Sequence, residues 1–144
     1  MRSKLRSRLA RGAAAIEFAL LLPVFCAIMF GIIEYGWVFF QQANVIAAVR
    51  NGVRYAITLS KCDAPNPQSA AIERVKETLR GSGYSNEDVD SANITADYNG
   101  SNPTETLTVA ADVPYHPLIR LIYTPPTLHG EMTMILELQG ETCG

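Results

Sequence analysis

The side chains in this chain that most readily hold a metal or move a proton near neutral pH are two histidines, three cysteines and fourteen carboxylates. Neither histidine is placed for it. His116 sits in the run Pro114-Tyr115-His116-Pro117 and His129 stands beside Gly130, without a cysteine or carboxylate at metal-ligand spacing. No nucleophile elbow, phosphate-binding loop or dinucleotide fingerprint occurs. These residues predict no enzyme, no metal, no organic cofactor and no small-molecule substrate.

The acid whose position asks for an explanation is Glu17. Ala13–Ile33 is a run of 21 residues with Glu17 as its single charge. A carboxylate inside such a run is costly unless it snorkels or finds a cation. Close to the basic boundary the cost is small, which is the plainer reading. The sharper one uses the junction Arg11-Gly12-Ala13-Ala14-Ala15-Ile16-Glu17-Phe18. A cut between Gly12 and Ala13 would leave an ammonium on Ala13. On one subunit that ammonium would neutralise the Glu17 carboxylate of a neighbour, offsetting both burial costs and setting the axial register between helices.

The elements that must position Glu17 follow from charge and hydropathy. Residues 1–11 carry five bases and no acid, residues 13–49 carry only Glu17 and Glu34, and residues 60–144 carry twelve acids against five bases. With 48% hydrophobic residues the chain is not disordered, and its acidic bulk argues against nucleic acid. At 1.5 Å per residue the run Ala13–Ile33 reaches about 31 Å, the thickness of a bilayer core. Tyr35 and Trp37 follow as interfacial aromatics, and the basic start places the amino terminus in the cytoplasm. A retained single span over about 13–35 is expected rather than a cleaved signal, because the apolar run is long and lacks a small-residue cleavage site after it.

The helical pattern continues past the membrane. Val45, Ile46, Val49, Val53 and Ile57 recur at helical spacing, so one helix is predicted over 13–59, through Pro23. Small residues four apart, among them Ala43, Ala47 and Gly52, suit close helix contact, or are there because alanine favours helices. Arg50 and Arg54 share a face, as a solvated pair or as the seat of an acidic partner.

The ordered motifs along this helix carry a resemblance. A basic leader, glycine, small residues, glutamate and an apolar helix resemble the prepilin-peptidase site of type IV pilins. More narrowly, Arg11 to Pro23, then Gly31-Ile32-Ile33-Glu34-Tyr35-Gly36, then Ala47 to Ala56 are similar to the TadE-like pseudopilins of the bacterial tight-adherence (Flp pilus) system. The short length favours TadE over the longer TadG type, and a TadF-like assignment stays open. The resemblance implies a minor pilin-like subunit, with Gly12 and Ala13 flanking the processing site and Glu17 acting in subunit assembly. It implies a prepilin peptidase, other pilin or pseudopilin subunits and inner-membrane assembly proteins as partners, besides the lipid bilayer. The expected location is the bacterial inner membrane, single-pass, with the carboxyl domain periplasmic or extracellular. The alternative is a single-span anchored binding or envelope-scaffold module that never enters a pilus.

Residues 1–12 thus read as a leader, 13–59 as a long helix and 60–144 as an exported domain of class α+β. Asn66 and Pro67 start a helix with the stripe Ala71, Ile72, Val75 and Leu79, ended by Gly81 or Gly83. Asn86–Asp90 reads as an acidic loop. Strands are predicted at 93–98, 106–110 and 132–138, an antiparallel sheet of about three. The apolar stretch Leu118–Tyr123 is expected on the sheet or the membrane surface. Cys26 falls in the span, whereas Cys62 and Cys143 are both exported and are expected to pair. Such a closure would add about 4 kcal/mol; free or intermolecular cysteines are the alternative.

Overall fold

The computed structural model describes residues 2–59, 66–99, 105–120 and 122–135, with side chains from residue 15 onward. The element order is α1 (Arg2–Thr58), α2 (Pro67–Gly81), α3 (Asn86–Ser91), β1 (Asn93–Asn99), β2 (Thr106–Pro114) and β3 (Thr127–Ile135). This is the expected α+β class: a long apolar amino-terminal helix followed by a small domain with a three-stranded antiparallel sheet in the order β1-β2-β3.

Two compact units form, one from Met1–Trp37 with Pro117–Tyr123, the other from Val38–His116 with Thr124–Gly144. In the second unit the carboxyl half of α1 is a core element. Val45, Ala48, Val49, Val53 and Ala56 are buried, and their spacing puts them on one stripe. Burying each valine stabilises the fold by about 1.5–3 kcal/mol. With Ala71, Val75 and Leu79 of α2, Val89 of α3 and the buried face of the sheet they make up most of the buried residues of this unit. That face is supplied by β2, in which Leu107, Val109, Ala111 and Val113 alternate with half-buried residues, and by Leu128 of β3.

Glycines set two close approaches. At Gly52 a Cβ would lie 2.9 Å from the carbonyl oxygen of Ala71 and closer still to Cγ2 of Val75, so α2 rests directly on α1 there. At Gly130 a Cβ would meet Cγ1 of Val45 at 3.0 Å, so β3 lies against α1. Beside it the Gln42 side chain donates to the carbonyl of His129. The Tyr84 hydroxyl donates to the carbonyl of Gln41 at 3.1 Å. Burial, with a smaller contribution from the Asp88 charge, pushes this phenol up to about 12.

Local signals account for most boundaries. Asn66 caps α2 by accepting from the Ser69 N–H, Pro67 takes the first helical position, and the helix ends at Gly81. Several boundaries differ from the sequence reading. α1 begins at Arg2 because the leader is rich in helix formers, which outweigh Gly12. The acidic stretch is a short helix, not a loop. Ser85 caps it by accepting from the Asp88 N–H, and Glu87 and Asp88 suit the positive end of its dipole. β2 runs on to Pro114, and β3 starts at Thr127, where Leu128 faces Val113. The expected strand had begun only at Met132, because His129 and Gly130 obscure the alternation. Residues 136–138 lie outside the described residues, as do Cys62 and Cys143.

Candidate functional site: the amino half of the long helix

Helical periodicity and alanine-rich composition hold the amino half of α1 in one element through Pro23. From Ala15 it displays an apolar surface: Ile16, Phe18, Leu20 and Leu21 are 64–71% exposed. Phe18, Leu21, Leu22 and Phe25 line an all-apolar groove along it. Among the described residues this is the one helix long and apolar enough to cross a membrane. Among the described residues nothing covers this apolar surface, which is what a lipid-facing or subunit-facing helix requires.

Glu17 lies on this surface, exposed among those apolar side chains. Among the described residues no hydrogen bond or ion pair involves it. Gly12 and Ala13 lie in the helical backbone of α1, upstream of the described side chains. Ala43 and Ala47 are exposed on the helix, as are Arg50 and Arg54, to which no ion pair reaches among the described residues. Gly52 is buried in a helix contact within the chain, under α2. The sequence-selected residues therefore fall into two groups: Glu17, Ala43, Ala47, Arg50 and Arg54 are open to a partner, whereas Gly52 is occupied by its own fold.

The structure adds a residue that the sequence reading passed over. Glu34, the second acid of residues 13–49, is fully buried. Its Oε1 accepts the N–H of Leu118 at 3.1 Å and its Oε2 accepts the N–H of Ile119 at 2.8 Å. One turn earlier on the same face, a Cβ on Gly31 would stand 3.0 Å from Cδ1 of Ile122. Arg120 takes a left-handed backbone, φ 56°, that lets the segment turn between these two contacts. The apolar stretch between β2 and β3 is thus fastened to α1. The sequence signal was a second acid in an apolar helix, but these two amides lie 84 and 85 positions away and are backbone groups.

The remaining charged side chains make surface pairs. His116 Nε2 lies 2.9 Å from Asp88 Oδ1, and His129 Nδ1 lies 2.8 Å from Asp112 Oδ1 with Glu131 at 3.8 Å from its other nitrogen. The Ser85 hydroxyl bond, then the His116 contact, hold the Asp88 carboxyl below its ordinary range against some desolvation. The Asp112 hydrogen bond is the main cause raising His129. Among the described residues no group of three or more histidine, cysteine or acidic side chains is arranged to hold a metal ion.

Comparison with known proteins bears on the same helix. Residues 12–54 match the family described as TadE-like protein. No curated protein and no solved structure matches. The match begins at Gly12 and contains both acids of the apolar helix, Glu17 and Glu34. Over that segment the chain is similar to TadE-like proteins, as the motifs along the helix led us to expect.

Proposed function

We propose that this chain is a minor pilin-like subunit in the assembly of Flp pili, serving adhesion or biofilm formation. The observation that carries the reading is Glu17, a lone exposed carboxylate near the start of an uncovered apolar helix, inside the TadE-like segment. A prepilin peptidase cuts between Gly12 and Ala13, and the ammonium of Ala13 on one subunit meets Glu17 of the next. The five bases of the leader hold the amino terminus in the cytoplasm, and the sheet domain is exported across the inner membrane. The work is insertion, processing, exit from the bilayer and helix packing, with no bond chemistry by the chain itself. Its partners are the peptidase, other pilin or pseudopilin subunits, inner-membrane assembly proteins and lipid. Arg50 and Arg54 offer an acidic neighbour a place to dock.

Mass spectrometry of the chain from cells with and without the peptidase tests this directly. A mature form starting at Ala13 only when the peptidase is present supports it. A chain that keeps residues 1–12 in peptidase-positive cells overturns processing and favours the anchored envelope module. Glu17→Ala is expected to abolish piliation while membrane insertion persists; normal pili in that variant would remove the charge-pairing step.

A further inference from the structure

We propose that the segment Pro117–Tyr123 is a second membrane contact, an interfacial arm that Glu34 fastens to the outer end of the span. The proposal rests on the membrane-span reading and adds a lipid-binding surface outside the helix. Within its compact unit, the segment is bound at both ends of one helical turn, Glu34 taking the N–H groups of Leu118 and Ile119 and Gly31 making room for Ile122. The pairing spends two of the arm's backbone donors on a buried carboxylate and leaves the Leu118 and Ile119 side chains exposed. Leu118 is 57% exposed and Tyr123 is 88% exposed.

The axial position identifies the occupant. With Ala13 at the inner boundary, a run of about 31 Å brings Ile33 to the outer boundary, so Glu34 stands where hydrocarbon gives way to headgroups. The arm begins at that level, and Ile122 reaches one turn toward the hydrocarbon at Gly31. Its exposed side chains continue the apolar surface of α1 that lipid covers, and Tyr35 on the same part of the helix is also exposed. Leucine, isoleucine, tyrosine and Arg120, an exposed arginine to which no ion pair reaches among the described residues, form the mixture that partitions to the interface, where a guanidinium meets lipid phosphates. Backbone N–H groups at this depth are costly unless bonded within the protein. Two of them bond to Glu34, which explains a buried acid at the end of an apolar helix.

The test places a reporter in the arm of the full chain. Trp37 is the only tryptophan, so Trp37→Phe gives a dark background into which Leu118→Trp or Phe25→Trp is introduced. Each variant is reconstituted into vesicles of phosphatidylcholine and phosphatidylglycerol, with acyl chains brominated near the headgroup, near the chain end, or not at all. Bromine near the headgroup is expected to quench the Leu118→Trp emission more strongly than bromine near the chain end. Phe25→Trp, mid-span, is expected to show the opposite order. Adding Glu34→Ala is expected to weaken quenching at Leu118→Trp and leave Phe25→Trp unchanged. If Phe25→Trp is quenched and Leu118→Trp is not, the arm faces protein or water and the proposal is overturned. If neither is quenched, the span reading falls and takes the arm with it. Unchanged quenching in Glu34→Ala would overturn the fastening role while leaving a lipid contact.

Discussion

Gly52→Ala is a small perturbation whose sign the structure decides. In an isolated helix the added methyl would stabilise by about 1 kcal/mol, since glycine is the poorer helix former. Here that methyl would stand 2.9 Å from the Ala71 carbonyl oxygen and nearer still to Cγ2 of Val75. Neither obstacle can swing aside, because one is the backbone of α2 and the other belongs to a fully buried valine. The helices must part by a few tenths of an ångström, and such overpacking costs about 1–3 kcal/mol. The net expectation is a loss of about 1 kcal/mol, equivalent to a fall in melting temperature of about 4–8 °C for a domain of this size. Thermal melting of the purified full chain in detergent, followed by circular dichroism, measures it. Gly81→Ala is the control: it makes the same exchange at the last residue of α2, where no atom lies within 4 Å. It is expected to melt at or above the unaltered chain. If Gly52→Ala also melts at or above the unaltered chain, α2 does not rest on Gly52. The position would then be free for the contact between subunits that its spacing first suggested.

Titration gives two further tests in the sheet-bearing unit. Tyr84 keeps its proton to about pH 12 in the fold and to about pH 10 when unfolded, so the unfolded chain loses its proton first as pH rises. Stability from this group is complete below pH 10 and declines toward pH 12. The loss is at most about 2 kcal/mol because the ring is only half-buried. Alkaline denaturation of Tyr84→Phe should lack that component, and an identical alkaline profile in the two chains would refute it. His129 is raised by Asp112, so its contribution is fully present below its unfolded value and fades as pH rises through the folded one. Nuclear magnetic resonance titration should place its midpoint above that of an unstructured histidine, and Asp112→Asn should return it. A midpoint that ignores Asp112→Asn would show that the 2.8 Å contact does not form in solution.

Local chemistry made much of this chain legible without coordinates. A basic leader and an apolar run mark out a helix long and apolar enough to cross a membrane by composition alone, because water and hydrocarbon sort side chains whatever the rest of the chain does. The helical stripe at Val45, Val49 and Val53 and the Asn66–Pro67 start of α2 follow from backbone rules that act within a few residues. Ordered motifs also identified the TadE-like segment, since they lie within one continuous helix. Contacts between distant segments were not legible. Gly52 looked like a surface for another subunit, and only the packing of α2 shows it to be filled from within. Gly130 and His129 disguised the start of β3, because glycine there serves the approach to Val45 and not strand propensity. Glu34 was visible as an acid, but the Leu118 and Ile119 amides that it binds are backbone groups, which no side-chain pattern announces. Sequence alone determined which residues leave water and which way the helix turns. Tertiary structure decided which of those buried surfaces the chain covers for itself, because that depends on groups brought together across more than eighty residues.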